Sequence, residues 1–209
     1  MWPRKRWKKK VINKLSVAII NHISRKYLAD QLVSKLGPDT KVFTSTADLA
    51  HNDCVENSRK AWASFDPNAD YHLVFEDDAI LCTNFYERLD KILTDKVRIY
   101  NLYWSNIPLP AGALEQGYVL GNQHVSLPAA AICIATNLIP DMLDFTKGTL
   151  GGWLDARIMN WAQSRNIMVY YPIPCLVDHN AREKSLLIGY IAPNRKSDYF
   201  IDSFNADRP

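Results

Sequence analysis

No run of apolar residues in this 209-residue chain approaches the ~18 that a membrane-crossing helix requires. Cys-x-x-Cys pairs are missing as well. Cys54, Cys82, Cys133 and Cys175 lie far apart, which suggests neither a zinc site nor a disulfide framework and makes reduced thiols the expectation. Histidine is sparse: His22, His51, His72 and His124 show none of the grouping with aspartates that a two-metal phosphohydrolase needs. Asn13 and Lys14 interrupt any apolar core behind the basic start, and no small-residue cleavage site follows, so a secretory leader is not indicated. Repeats are absent. With a net charge of only +3 the molecule as a whole is not a polycation. These absences leave a single soluble, cytoplasmic domain as the expectation, and 47% hydrophobic residues are enough to bury a real core.

What charge there is lies unevenly. Pro3 to Lys10 reads Pro-Arg-Lys-Arg-Trp-Lys-Lys-Lys, with six cations, and the remainder of the chain is mildly acidic. Residues 1–13 are therefore set apart as a basic arm, and 14–209 as one domain. Such an arm is either a solvated tail or an electrostatic contact for phosphates, of nucleic acid or of lipid headgroups. Trp2 and Trp7 suit base stacking and a membrane interface equally.

Along the domain, short apolar runs alternate with helical periodicity. Leu15 to Ile20 reads as a buried strand; Ser24 then caps a helix carrying Tyr27, Leu28, Leu32 and Leu36 that stops at Gly37-Pro38. Lys41 to Ser45 is a second strand, Ala47 to Ser64 a helix, and Tyr71 to Phe75 a third strand running into Glu76-Asp77-Asp78. A helix over Asn84–Leu93, a strand near Arg98–Trp104, a long loop over Ile107–Gly121 and a strand over Ala129–Ala135 follow. A helix from Gly151-Gly152 to Arg165, a strand over Ile167–Tyr171 and an irregular tail from Pro172 complete the reading. Strand–helix–strand alternation predicts an α/β domain with a mixed, mainly parallel sheet flanked by helices, its site beyond the carboxyl ends of the strands.

The acidic cluster stands at such an end. In an extended chain Glu76 and Asp78 share a face and Asp77 points away. Two hard carboxylates there suit Mg²⁺ or Mn²⁺, which accept phosphate oxygens as further ligands. Acids also finish strands simply because a loop begins.

The string Leu73-Val74-Phe75-Glu76-Asp77-Asp78-Ala79 resembles the Glu-Asp-Asp form of the Asp-x-Asp motif of GT-A-fold glycosyltransferases, particularly the small lipopolysaccharide and collagen-type galactosyltransferase relatives. Pro174-Cys175-Leu176-Val177-Asp178-His179, followed by Lys184-Ser185-Leu186, is similar to the segment that closes many such domains. Gly151-Gly152-Trp153-Leu154-Asp155 sits where the family carries a glycine loop and an acidic helix start facing the acceptor. The three anchors keep the family's order and span roughly residues 14 to 190. The resemblance implies a GT-A-like fold and a nucleoside diphosphate sugar as donor. It also implies a metal held by Glu76, Asp78 and His179, with Mn²⁺ preferred because an imidazole joins the carboxylates. Asn21, Arg25, Asn57, Arg59 and Asp77 would meet the donor, Arg182 or Lys184 the departing diphosphate, Trp153 and Arg157 the acceptor. Asp155 would be the general base of an inverting reaction, although it also suits its own helix start. Tyr103, Trp104 and Trp153 are stacking candidates or core. The chain departs from the pattern in lacking a Glu before Asp155 and in being short, so its acceptor-binding part is reduced or supplied by another molecule.

The compact size and the Arg195–Asp202 end are similar to small phage-encoded transferases, some of which decorate hydroxymethylated pyrimidines in DNA. That acceptor ranks first and implies a location in the host cytoplasm; a lipopolysaccharide or other surface glycan ranks second. A metal-dependent phosphohydrolase and a non-catalytic nucleic-acid-binding domain are the readings of another class.

Overall fold

The apolar run at the start of the domain forms strand β1 (Leu15–His22), with Val17, Ala18 and Ile19 buried as its unbroken hydrophobicity requires of a strand covered on both faces. The computed structural model describes residues 14–38, 40, 42–47, 54–94, 98–105, 107–121, 130–147, 153–180 and 195–204. The basic arm, Gly151, Gly152, Arg182 and Lys184 lie outside the described residues. A 3-10 turn (Ile23–Arg25) leads into α1 (Lys26–Leu36), which buries Leu28, Ala29, Leu32 and Leu36. Ser24, expected as the cap, lies within that turn; His22 takes the role, its Nδ1 accepting the Ser24 N–H at 3.2 Å. Gly37 then leaves the helix with φ of 89°, a backbone state open to glycine.

Strand β2 (Val42–Ala47) includes Ala47, which sequence periodicity placed in the next helix, and α2 is Cys54–Ala63. Strand β3 (Tyr71–Glu76) buries all but its last residue. After it come β4 (Ala79–Leu81), α3 (Phe85–Ile92), β5 (Ile99–Asn101), α4 (Ala113–Gln116), β6 (Tyr118–Gly121) and β7 (Ala131–Ala135). Helices α5 (Ile139–Lys147) and α6 (Leu154–Ser164) and strands β8 (Val169–Pro172) and β9 (Val177–His179) follow.

Seven strands make one mixed sheet in the order β2-β1-β3-β7-β5-β8-β6, and β4 pairs with β9 in a small second sheet. Parallel ladders join β1 to β2, β1 to β3 and β5 to β8. Strand β7 enters antiparallel between β3 and β5, and β6 closes the edge antiparallel to β8. The chain moves outward from β1 to β2 and then back across β1 to β3. Right-handed crossovers therefore put α1 and α2 on opposite faces and leave a crevice beyond the carboxyl ends of β1 and β3. Ile20, Val74 and Ile132 of the sheet meet Trp62 of α2 and Leu154 and Ile158 of α6 around a cavity of about 20 Å³, room for roughly one water.

Three expectations are corrected. The Pro- and Gly-containing stretch 107–121 is not all loop, because α4 and β6 form within it. The tail after Pro172 is not wholly irregular: β9 pairs with β4, and Cys175 bridges to Phe200. The strand expected at 98–104 is three residues of β5; Leu102 then pairs away from it, its carbonyl accepting from the amides of Leu176 and Val177.

One buried group outside the crevice bears on stability. His72, fully buried in β3, meets the Ser16 hydroxyl through Nδ1 at 2.7 Å and the Ala61 carbonyl through Nε2 at 3.0 Å. A carbonyl only accepts, so Nε2 carries the proton and Nδ1 accepts from Ser16. Burial drives the His72 pKa down to about 4, against the two hydrogen bonds that raise it. Below the unfolded value of 6.5 the unfolded chain takes up a proton that the folded chain refuses, so stability falls as pH drops from 6.5 towards 4. Asp77, raised to about 6, works in the opposite sense over much of that window, so the effect is best read as a difference between two proteins. In urea titrations, His72→Gln is expected to lose roughly 2 kcal/mol less stability than the parent between pH 7.5 and pH 5. Parallel pH profiles would mean that His72 is not held neutral.

Candidate metal centre

The acidic residues after β3 do not continue the strand. Glu76 is its last residue, and Asp77 and Asp78 occupy a turn before β4. The side chains nonetheless separate as strict alternation predicts, for a tertiary reason. Asp77 is drawn back towards β1, accepting the His22 N–H at 3.0 Å and facing Arg25 Nη1 at 3.4 Å. Glu76 and Asp78 turn to the other side, where His179 Nε2 stands 3.3 Å from Glu76 Oε2 and 3.3 Å from Asp78 Oδ1.

His179 arrives there through the second sheet. The β4–β9 register sets Ala79 opposite His179, and the Asn180 amide donates to the Asp78 carbonyl at 2.9 Å. A side chain 103 positions from Glu76 is thereby fixed next to it. Asp178 supports the end of β9, its Oδ1 accepting both the His179 and Ser197 amides at 2.8 Å. One donor atom from each of Glu76, Asp78 and His179 lies within 4.8 Å of the other two.

These donors suit a divalent cation. Asp78 is 2% exposed and His179 4%, and Asp78 Oδ1 has no hydrogen-bond donor among the described residues. A buried carboxylate oxygen with no hydrogen bond has a lone pair available to a cation. Two hard carboxylates with one imidazole are a donor set that Mn²⁺ accepts readily.

Charge within the cluster is uneven. Burial acts against ionisation of Glu76, but the hydrogen bond and charge of His179, with Arg195 and Arg25, prevail and hold it below the usual carboxylate range. Asp78 is raised, by burial and by the neighbouring Glu76 charge, despite His179, Arg195 and Arg25. Asp77 is raised to about 6, chiefly by burial and then by repulsion from Asp78 and Glu76, against its bond from His22 and the charge of Arg25.

The buried Arg25 bridges the two strand ends, its Nη1 lying 3.2 Å from Asp78 Oδ2 as well as beside Asp77. Asn57 of α2 donates from Nδ2 to the Asn21 carbonyl at 3.1 Å and accepts the Ser45 hydroxyl through Oδ1. Asn21, Ser45 and Asn57 thus gather at the ends of β1 and β2, where Asn21 Oδ1 and His22 Nε2 are buried without hydrogen-bond partners among the described residues. Arg59 goes elsewhere. Its Nε faces Glu56 at 3.7 Å and its Nη1 meets the Leu143 carbonyl of α5 at 3.5 Å, which sets it at the α2–α5 seam. Arg157 likewise donates to the Thr146 carbonyl of α5 at 3.2 Å.

Asp155 opens α6 and accepts the Ala156 N–H at 2.7 Å. Burial raises its pKa, and the charge of Glu76 adds to the rise. That second effect places it within electrostatic reach of the metal-site carboxylates. Trp153, immediately before α6, is 51% exposed and free to present a ring face. Trp104 is core: it packs edge-on against Tyr171 at 5.3 Å and donates Nε1–H to the Ile107 carbonyl. Tyr103 is buried too, its ring 6.0 Å from that of His179.

Sequence reasoning passed over Arg195 as a site residue. Its Nη2 lies 3.5 Å from Asp78 Oδ2 and 3.9 Å from Glu76 Oε2, and it touches His179 Nε2. A cation sixteen residues after the histidine was the available signal, but nothing local distinguishes it from other cations of the tail.

The sequence matches no protein-family model and no curated protein. Among solved structures the chain is similar to the catalytic domain of Drosophila β1,4-galactosyltransferase 7 with xylobiose, at 9% identity over 77% of this chain and 65% of that one, TM-score 0.48. It is similar to a variant of that Drosophila enzyme with manganese, UDP-Gal and xylobiose, at 9% identity, the same coverages and TM-score 0.47. A third is the galactosyltransferase LgtC with donor and acceptor sugar analogues, at 13% identity over 75% of this chain and 72% of that one, TM-score 0.41. The chain spans 65% of the length of the Drosophila structures. One fold serves many reactions, so function follows from the chemistry of the site.

Proposed function

We propose that the chain is a metal-dependent glycosyltransferase that moves a sugar from a nucleoside diphosphate donor to an acceptor hydroxyl. The observation that carries this reading is the convergence of Glu76, Asp78 and His179 at the carboxyl end of β3, in the crevice beyond β1 and β3 and next to the polar residues at the ends of β1 and β2. These three side chains would hold Mn²⁺, which when bound supplies positive charge to offset that of the departing diphosphate.

The remaining roles belong to the chain itself. Asn21 and Asn57 line the crevice for the nucleoside, with an unpartnered Oδ1 on Asn21 to accept from a base or ribose. Arg25 ties Asp77 and Asp78 together, so donor site and metal site keep one geometry. Asp155, with its raised pKa, takes the acceptor proton as the hydroxyl attacks. Trp153 offers a sugar or base a stacking face.

Residues 1–13 serve as an arm for a phosphate-rich acceptor, with Trp2 and Trp7 to stack on bases. A hydroxymethylated pyrimidine in DNA is the acceptor that best matches an arm of this charge. In a duplex that base would have to leave the stack to reach the site.

The test incubates the protein and Mn²⁺ with UDP- and GDP-sugars and plain DNA, hydroxymethylcytosine DNA, hydroxymethyluracil DNA, lipopolysaccharide or no acceptor. Released nucleotide and digested nucleosides are read by mass spectrometry. A hexose- or pentose-sized mass gain on one modified base is the expected result. Product on lipopolysaccharide alone would move the acceptor to a surface glycan and keep the reaction. Absence of donor binding and turnover in every arm would rule out the transferase.

A further inference from the structure

Arg195 is a cation supplied by the chain at the point where the three metal-site donors meet. Its Nη2 touches His179 Nε2 and lies 3.5 Å from Asp78 Oδ2 and 3.9 Å from Glu76 Oε2. A guanidinium has donors only and stays charged at any ordinary pH. At that contact it takes the position beside Nε2 that a metal ion bound to the ring would occupy. Each of the three donors thus offers electrons to one volume, and Arg195 fills it.

The backbone beneath this side chain is firmly held. The Tyr103 hydroxyl donates to the Arg195 carbonyl, and the Ser197 amide donates to Asp178. The Cys175 amide donates to the Tyr199 carbonyl at 2.8 Å and the Cys175 carbonyl accepts from the Ile201 amide at 3.1 Å, with Phe200 buried between them. Asp202 accepts the amide and hydroxyl of Thr83 at 2.7 and 2.9 Å. Residues 195–202 are thereby tied to Tyr103, Asp178, Cys175 and Thr83, which anchors the backbone on the carboxyl side of Arg195.

We propose that Arg195 is the stand-in cation of the metal centre: it neutralises Glu76 and Asp78 in the metal-free protein, and a divalent cation must displace it to bind. The inference rests on the metal-centre reading, because a guanidinium nitrogen and an ion cannot share one position. Two consequences follow. Without metal, Arg195 relieves the buried Asp78 and the half-buried Glu76, which would otherwise repel each other. With metal, its exclusion from the site weakens apparent affinity by the fraction of time it occupies the position.

The test measures binding of Mn²⁺ alone, by the electron paramagnetic resonance signal of the free ion, together with thermal unfolding in EDTA and in Mn²⁺. Arg195→Ala is expected to bind Mn²⁺ at least about tenfold more tightly than the parent. It should also unfold at a lower temperature in EDTA and gain more from Mn²⁺. Arg195→Lys, which keeps the charge, should stay near the parent in all three. If Arg195→Ala does not fold, the neutral Arg195→Gln is expected to show the same tightening. Unchanged or weaker Mn²⁺ binding in the neutral variants, with the parent binding normally, would overturn the stand-in role and leave the metal centre intact. Failure of both parent and variants to bind Mn²⁺ would overturn the metal centre and this inference with it.

Discussion

Asp78→Ala is expected to abolish Mn²⁺ binding and lower sugar transfer by about 10³-fold or more while leaving the fold intact. The size follows from the several kcal/mol of charge stabilisation that a bound metal contributes in the transition state. Survival of the fold follows from the local electrostatics. Asp78 is buried beside Glu76, and both burial and that neighbouring charge already disfavour its ionised form. Its removal relieves a repulsion, while Arg25 keeps Asp77 and Arg195 keeps Glu76. Mn²⁺ titration, a thermal melt in EDTA and the transfer assay read the three parts separately. Retention of Mn²⁺ affinity in this variant would locate the metal elsewhere and remove the basis of the proposed function.

The second large effect concerns Asp155. Asp155→Asn is expected to lower kcat by about 10² to 10⁴-fold, with Mn²⁺ affinity and donor KM close to the parent. The asparagine oxygen can still accept the Ala156 amide bond, so the start of α6 is preserved and the loss reports the missing base. The pH profile carries the same information. A general base acts when ionised, and burial followed by the Glu76 charge lifts Asp155 above the ordinary carboxylate value. The parent rate should therefore rise with pH through a midpoint above that of a free aspartate, and the rise should vanish in Asp155→Asn. An effect below about threefold with an unchanged profile would leave Asp155 as a helix-start residue only.

Both variants test residues that stood out in the sequence, and the reason is local. Leu73-Val74-Phe75 is an apolar run that can be buried on both faces, and carboxylates placed directly after it must emerge at the strand's end. Helix α1 was legible because Leu28, Leu32 and Leu36 recur at a helical spacing and glycine follows. Helix α5 was missed, although Ile139 and Met142 are buried on it and Gly148 directly follows its last residue in the sequence, because a short helix with Pro140 near its start shows few turns of periodicity. The three-residue strands β5 and β9 escaped or were misjudged in length, since a segment that short shows too little periodicity to separate strand from loop.

Partnership among the charged groups follows the same division. Arg25 and Arg59 look alike in the sequence, each a cation near the first half of the sheet. The structure gives Arg25 to Asp77 and Asp78, and Arg59 to Glu56 and the end of α5. Helical phase fixes which way α2 turns each residue, but only the packing of α2 against α5 decides what that residue meets.

By itself, the sequence determined the α/β class, the early strands and helices, the acidic turn after β3 and the lack of any long apolar run, because each is written in a window of a few residues. Tertiary structure alone decided that β7 runs antiparallel between β3 and β5, that β9 carries His179 to Asp78, and that Arg195 reaches the same point. Those contacts join residues distant in the sequence, and the last two span more than a hundred positions. They are held by burial of a shared core and by backbone pairing between distant strands, neither of which leaves a period in the local sequence.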